Sequence, residues 1–238
     1  QPWRAASMRG RVSSTTRRRC NLTSLHIAFN SSVGPSLGVE VEFELVDRDT
    51  RELSSAASVI LEEIGAGHPG GEHPKAKHEL FECTIEIITG ICETVAEAKA
   101  DLGATLAEVT ERAGVRNLDL VCSGTHPFSD WRDQRVTDNE RYHLLVREMA
   151  WMAQRLQIFG VHFHVGVRSP EKAVAIANAS EYGLSGAVYT NDTDRAYAVA
   201  RRIRTGHFTQ NGREFDLTNP FGGFKKSGVG REGGPEGM

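Results

Sequence analysis

The residues of this sequence that are able to do chemistry are carboxylates and imidazoles in three short segments. The first segment, Gly38-Val-Glu-Val-Glu-Phe-Glu-Leu45, alternates apolar residues with Glu40, Glu42 and Glu44. Strict alternation predicts a β-strand with the three carboxylates on one face, about 6.6 Å apart per step. Like charges at such positions repel one another, so this face needs water or cations. Two interpretations stay open here: a wet edge strand rich in glutamate, and a row of oxygen ligands for Mg²⁺ or Mn²⁺.

Two further segments carry the same ligand types. Residues 79–90 become rich in β-forming residues toward their end. They contain three more carboxylates, Glu79, Glu82 and Glu86. Residues 161–167 alternate again, and His162 and His164 share the polar face of an otherwise apolar strand, a spacing that favours a functional role over a structural one. The three segments together predict one sheet with an apolar back and a front suited to metal and nucleotide phosphates.

Helices are predicted to cover the apolar back of this sheet. A capping box that begins at Thr94 opens a helix that ends at Gly114. Its buried stripe is predicted to contain Val95, Leu102, Leu106 and Val109. Residues 118–122 are predicted to form a buried strand. A second capping box, which begins at Thr137, opens a long helix on which Trp151 is predicted to belong to the core.

Composition limits the classes of function. The 238 residues are 39% hydrophobic, enough for a core, and the formal net charge of −3 favours neither nucleic acid nor a membrane surface as a partner. No apolar run approaches the roughly 18 residues that a spanning helix needs. The 4 cysteines include no Cys-x-x-Cys pair, so neither a disulfide framework nor a zinc site is indicated and a cytoplasmic location is expected.

Residues 1–36 are rich in arginine without any acidic residue, which predicts a disordered basic extension, with an organelle transit peptide as the alternative.

The sequence from about residue 37 to 173 resembles the type 2 glutamate-cysteine ligases, or carboxylate-amine ligases, of bacteria. Four motifs in order carry the resemblance: Gly-Val-Glu-Val-Glu at 38–42, Glu-Leu-Phe-Glu…Ile-Glu at 79–86, Gly-Thr-His-Pro-Phe at 124–128 and Phe-Gly-Val-His-Phe-His-Val-Gly-Val at 159–167. The resemblance implies the α+β class, with part of a glutamine-synthetase-like antiparallel sheet, covering helices and an acidic face that holds Mg²⁺ or Mn²⁺. It also implies that ATP phosphorylates the γ-carboxylate of glutamate, after which the amine of cysteine, or of another acceptor, displaces phosphate.

The site residues follow from the resemblance position by position. Five side chains are implied as metal ligands: Glu40, Glu42, Glu79, Glu86 and His162. Of these, His162 lies beside the metal or the γ-phosphate. Two weaker candidates are implied for substrate binding, His164 at the edge of the site and Arg132 at an anionic group. No catalytic residue is assigned, and Glu44 and Glu82 receive no role.

Residues from about 175 to 238 instead resemble the end of an aldehyde dehydrogenase catalytic domain, an α/β fragment. Two motifs carry this resemblance: Ile-Ala-Asn-Ala-Ser-Glu-Tyr-Gly-Leu-Ser-Gly-Ala-Val at 176–188 and Asn-Pro-Phe-Gly-Gly-Phe-Lys-Lys-Ser-Gly at 219–228. The expected organisation is therefore an extension over 1–36, the first half of a ligase-like domain over 37–173 and a dehydrogenase-like fragment over 174–238.

Three hypotheses about function remain open at this stage. The first is a ligase. The second is a non-catalytic chimera that keeps metal binding, because ligase family members continue beyond the His-x-His strand whereas this chain changes family there. The third is an aldehyde dehydrogenase fragment, although the nucleophilic cysteine, general base and dinucleotide-binding domain of that family lie upstream of the matching piece. An exposed half-site is also open to completion by a second subunit, as in a homo-oligomer.

Overall fold

The structure is a computed structural model that describes residues 31–212 and 219–231. Residues 1–30 of the predicted basic extension lie outside the described residues. The chain divides into two compact units between Ala173 and Val174. The first unit contains β1 (Ser36–Asp47), α1 (Ala57–Gly65), β2 (Ala76–His78), β3 (Thr84–Ile88), α2 (Val95–Val115), β4 (Leu118–Val121), α3 (Glu140–Met149), α4 (Trp151–Gln154) and β5 (Val161–Gly166).

Strand β1 is the centre of an antiparallel sheet in the order β2-β3-β1-β4, with β5 also paired to β1. The long alternating run of β1 allows this, because its middle pairs with β3 on one side while its two ends pair with β5 and β4 on the other. In this register Glu42 lies opposite Glu86 of β3, and Glu40 lies opposite His162 of β5. The register therefore places acidic residues of β1 and β3 and a histidine of β5 side by side.

The apolar back of the sheet packs against α1 and α2. The buried side chains of this core include Leu45, Ile60, Ile85, Ile87 and Val109. The cap predicted for α2 is confirmed, since the Thr94 hydroxyl oxygen accepts a hydrogen bond from the Glu97 backbone N–H at 3.2 Å. The predicted stripe is wrong at Val95, which is exposed because it lies one turn before Ala98, the first buried residue of the helix.

The second predicted capping box is wrong. Asn139 caps α3, with its side-chain oxygen accepting from the Arg141 backbone N–H at 2.9 Å. The Thr137 hydroxyl instead donates to the Glu79 carbonyl at 2.7 Å, a contact between segments far apart in sequence. The long helix is also interrupted at Ala150, whose φ of 51° is left-handed, and Trp151 beyond it is exposed rather than part of the core.

The second unit is smaller and has an α/β character. Helix α5 (Pro170–Ala179) spans the division, and β6 (Ser185–Val188), α6 (Thr193–Ala200) and β7 (His207–Gln210) follow. The two strands are parallel and are joined through α6, as a parallel connection requires. Across the described residues, every helix is too short or too polar to span a bilayer. An antiparallel sheet with covering helices and a small α/β piece confirms the predicted mixed class at this level.

Candidate metal centre

The front of the sheet gathers the predicted ligands into two overlapping groups. Their members are Glu42, Glu79 and Glu86 in one group and Glu40, Glu86 and His162 in the other. Within each group one side-chain oxygen or nitrogen per residue lies within 4.8 Å of the others. Glu86 belongs to both groups, and it faces Glu42 across the β1–β3 ladder. All five residues implied as ligands by the sequence are thus neighbours in space.

Glu79 reaches this face from a loop rather than from a strand. It follows the last residue of β2 and precedes β3 by several residues. Its backbone carbonyl is held by the Thr137 hydroxyl, and one of its carboxylate oxygens accepts from the Leu80 backbone N–H at 3.2 Å. The loop is anchored below by the buried side chains of Leu80 and Phe81. Glu79 is therefore positioned by tertiary contacts.

Negative charge accumulates at the centre of this face. The pKa of Glu86 is raised to about 7, first by burial and then by the carboxylates of Glu79, Glu40 and Glu42, while His162 opposes them. Burial likewise raises the pKa of Glu79, with Glu42 adding to the effect. A cation among these oxygens would offset the repulsion between carboxylates, which adds to the effect of burial on both pKa values. Hard carboxylate oxygens with one imidazole form a donor set that fits Mg²⁺ or Mn²⁺.

Hydrogen bonds hold the two β1 carboxylates in place. One oxygen of Glu42 accepts from the Gly160 backbone N–H at 2.7 Å, just before β5 begins. The Glu40 carboxylate lies between two imidazoles, 3.3 Å from Nδ1 of His162 and 3.1 Å from Nε2 of His164. His164 therefore lies at the edge of the group through its contact with Glu40, whereas its proposed contact with substrate stays a prediction.

Within the described ranges, Arg132 contacts residues next to it in the sequence and not the carboxylate face. Its guanidinium is 3.1 Å from an Asp130 carboxylate oxygen and stacks over the ring of Trp131, and it is largely exposed. No contact among the described residues links it to the carboxylate face. Its role at an anionic substrate stays a prediction.

Sequence reasoning overlooked two neighbours of the centre on α3. Arg141 lowers the pKa of Glu79, and Glu79 in turn contributes to raising the pKa of Tyr142, whose main cause is burial. The Tyr142 hydroxyl donates to the carbonyl of His78 at 3.0 Å, next to Glu79. The signal in the sequence that could have placed these two residues was the start of α3. The sequence pattern predicted a cap at Thr137, whereas Asn139 caps the helix.

The two acidic residues without an assigned role are buried away from the centre. Glu44 is 0% exposed, and one of its oxygens accepts from the Ser123 hydroxyl at 2.5 Å. Glu82 accepts from the Ser58 hydroxyl at 2.6 Å and from the Ser58 backbone N–H at 3.1 Å. Glu82 is therefore satisfied locally, whereas the second carboxylate oxygen of Glu44 is buried without a hydrogen-bond partner among the described residues. Neither carboxylate belongs to the two ligand groups, so the acidic face is narrower than the alternation of β1 suggests.

A separate group, formed by His68, His73 and Glu108, also brings ligand-type atoms within 4.8 Å of one another. Its hydrogen bonding does not suit a metal. Nδ1 of His73 accepts from the Lys75 backbone N–H at 3.2 Å, which leaves the proton of a neutral ring on Nε2. That Nε2 lies 3.5 Å from Glu108, so its proton points toward a carboxylate.

Two family models match the chain. The model of glutamate-cysteine ligase family 2 matches residues 36–183, and the model of the aldehyde dehydrogenase family matches residues 152–238. A protein of Frankia alni, provisionally named glutamate-cysteine ligase 2-1, is 54% identical over 155 residues, which are 65% of this chain and 41% of that protein. A protein of Thermobifida fusca, provisionally named glutamate-cysteine ligase 2, is 48% identical over 153 residues, 64% of this chain and 38% of that protein. The chain thus spans about two fifths of the length of these curated relatives.

Solved structures similar to part of this chain include aldehyde dehydrogenases. The aldehyde dehydrogenase of Mycobacterium tuberculosis complexed with NAD⁺ is 50% identical and covers 29% of this chain and 14% of its own, with a TM-score of 0.28. Apo betaine aldehyde dehydrogenase of Staphylococcus aureus, a G234S mutant, is 40% identical and covers 30% of this chain and 15% of its own, with a TM-score of 0.29.

Proposed function

The chain belongs to glutamate-cysteine ligase family 2, and from this premise we propose that its carboxylate face is part of the metal-ATP site of an ATP-dependent carboxylate-amine ligase. The observation that supports the proposal is the pair of ligand groups that share Glu86. The proposal includes Mg²⁺ or Mn²⁺ as the metal and a glutamine-synthetase-like sheet as the scaffold. The substrates it names are ATP, glutamate and an amine such as cysteine.

The proposed reaction has two steps. The γ-carboxylate of glutamate attacks the γ-phosphorus of ATP, so that a P–O bond forms to the carboxylate and ADP leaves. The amine then attacks the acyl carbon, the bond from that carbon to the phosphate oxygen breaks, and the amine loses a proton as phosphate departs. A bound divalent cation would supply neutralisation of the phosphate charge during transfer.

The residues of the chain have distinct parts in this proposal. Glu42 and Glu86 supply oxygens from adjacent strands, and the Gly160 N–H fixes the orientation of Glu42. Glu40 is oriented by the imidazoles of His162 and His164. The ring of His162 lies beside the carboxylate group, so its imidazole would supply a nitrogen ligand at the edge of the centre.

The test compares wild-type protein with Glu42→Gln. We expect titration calorimetry to show Mn²⁺ binding that weakens at least about tenfold in the variant, because an oxygen ligand loses its charge. We also expect ADP release that requires glutamate and cysteine together with Mg²⁺, and that Glu42→Gln abolishes. Glu111→Gln is the matched control, because Glu111 is an exposed residue of α2. Absence of metal binding at millimolar concentration would refute the proposal.

A second candidate function is metal binding without turnover. The observation that favours it is the exposure of the two imidazoles, since His162 is 54% and His164 63% exposed. An open centre admits water, and water would hydrolyse an acyl phosphate before an amine reaches it. The candidate predicts Mn²⁺ binding with no γ-glutamylcysteine in a coupled assay. Detection of that product by mass spectrometry would exclude it.

Aldehyde oxidation is the least supported of the three hypotheses. The sequence contains no cysteine after Cys122, so the dehydrogenase-like part has no thiol nucleophile. In the ligase-like part, Cys83 is buried and its burial raises the pKa of the thiol to about 11, which keeps it protonated and unreactive. We expect no aldehyde-dependent formation of NADH, measured at 340 nm.

A further inference from the structure

Within the part of the chain that the structure describes, the strand that carries the His-x-His motif has one edge without a partner strand. Among the described residues, β5 pairs with β1 alone. Just before the strand, the Gly160 carbonyl accepts from the Glu42 backbone N–H at 3.0 Å. The backbone N–H and C=O groups of an antiparallel strand point to alternate sides from one residue to the next. The backbone groups of His162 and His164 therefore point toward β1, as those of Gly160 do. The N–H and C=O groups of the odd-numbered residues therefore point to the free edge.

The free edge is also apolar and carries none of the usual protective features. Val161, Phe163 and Val165 are 44%, 68% and 52% exposed, respectively, and they lie on the apolar side of the sheet beyond Val41, Val39 and Leu37. Exposed edge strands are normally protected by lysine, proline or a bulge. The strand, Val-His-Phe-His-Val-Gly, has no lysine or proline, and its pairing with β1 runs without a bulge from Val161 to Gly166. Such an edge is a template for pairing with another strand.

The sequence of this edge selects a second copy of the chain as its partner. Residues 160–166 read Gly-Val-His-Phe-His-Val-Gly in both directions. A two-fold axis through Phe163 therefore matches each residue with one of its own kind: phenylalanine opposite phenylalanine, histidine opposite histidine and valine opposite valine. A two-fold contact must be self-complementary in this way, and matched apolar pairs on one face stabilise antiparallel strands.

We propose that β5 pairs antiparallel with β5 of a second copy about a two-fold axis at Phe163, which joins two sheets into one. The outward backbone groups of Val161, Phe163 and Val165 then exchange about six hydrogen bonds with their equivalents. Phe163 faces Phe163 of the second copy as a hydrogen-bonded pair. His162 faces His164 of the second copy as a non-hydrogen-bonded pair, in which the Cα atoms are about 4.5 Å apart and side chains are closest.

The pairing changes the candidate metal centre. His162 and His164 lie on the same side of the sheet as Glu40, so each copy places an imidazole beside the imidazole of the other at the rim of the centre. Three strand spacings of about 4.8 Å and an offset of two residues, about 6.8 Å along the strands, separate the two Glu40 positions, so the two centres lie about 16 Å apart. The pairing depends on β5 and not on a bound ion. Experiments on metal-free protein therefore test it separately from the proposed ligase function.

The first test is sedimentation equilibrium of the full-length chain in EDTA over a concentration series. We expect wild-type protein to be a dimer, and Phe163→Lys to raise the dissociation constant at least about tenfold, because two lysines then face each other across the axis. Val115→Lys is the matched control, since Val115 is an exposed apolar residue at the end of α2, and it is expected to leave the dimer unchanged. Wild-type protein that stays monomeric, or a dimer that survives Phe163→Lys, would overturn the proposal.

The second test fixes the register and does not require a destabilising variant. In a background with Cys20→Ser and Cys122→Ser, Phe163→Cys is expected to form a disulfide-linked dimer under mild oxidation, because facing Cα atoms are about 5.5 Å apart, within the disulfide range. Val165→Cys is expected to remain unlinked, because its two copies lie more than about 13 Å apart along the strands. Equal rates of cross-linking for the two variants would contradict the two-fold axis at Phe163.

Discussion

Replacing Glu86 by glutamine is expected to stabilise the metal-free protein and to weaken metal binding at once. The pKa of Glu86 rises from the ordinary value of 4.5 to about 7 in the folded chain, first through burial and then through its acidic neighbours. Folding therefore disfavours the ionised form. The resulting loss of folding stability is absent below about pH 4.5, where Glu86 is protonated in both the folded and the unfolded chain. It grows between pH 4.5 and 7, where Glu86 ionises only in the unfolded chain, and it is fully present above pH 7. Glutamine removes this cost.

The size of the gain follows from the pKa. A rise from 4.5 to about 7 corresponds to roughly 3 kcal/mol between the two protonation states. Because Glu86 is only half-buried, screening by solvent reduces the expected gain in the free energy of unfolding to about 1–2 kcal/mol at pH 8. Near pH 4.5 the difference between the proteins should disappear. Affinity for Mn²⁺ should fall at least about tenfold, because Glu86 belongs to both ligand groups.

Urea unfolding in EDTA, followed by circular dichroism at pH 4.5 and pH 8, measures the first effect, and titration calorimetry measures the second. Glu111→Gln serves as the control for loss of one surface charge. A Glu86→Gln protein that is less stable than wild type at pH 8 without metal would show that the carboxylate is favourably placed on its own. Higher stability without metal together with weaker binding of Mn²⁺ is the result expected if Glu86 is placed to bind a cation.

Substitutions at three further positions test how the scaffold is held. Ile85→Ala is expected to lower the free energy of unfolding by about 2–4 kcal/mol in urea titrations, because Ile85 is fully buried under the sheet. Thr94→Ala should cost about 1 kcal/mol through loss of the hydrogen bond to the Glu97 N–H, and Thr94→Ser should restore most of it in the same assay. Ser123→Ala should cost about 1–3 kcal/mol at pH 8, because it removes the hydrogen bond to one oxygen of buried Glu44, whose other oxygen has no partner among the described residues, and an unchanged transition would show that the bond contributes nothing.

The sequence by itself determined the elements whose cause is local. Alternation over residues 38–45 specified β1 and placed Glu40 and Glu42 on the face opposite Val39 and Val41, as the sheet shows. The Thr94 cap and the apolar period after it specified α2. The motifs also identified both families, in the order in which their models match. Periodicity and capping act within a few residues, so they can be read without the rest of the chain.

Only the tertiary structure decided which carboxylates meet and what covers them. Glu79 joins the centre from a loop that Thr137 anchors, whereas Glu44, on the same face of β1 as its neighbours, is taken up by Ser123. Alternation predicted an apolar side for β5, and the structure leaves Phe163 on that side exposed. The physical reason is that alternation fixes which side chains share a face, while the strand beside that face and the loop above it depend on pairing between residues far apart in sequence.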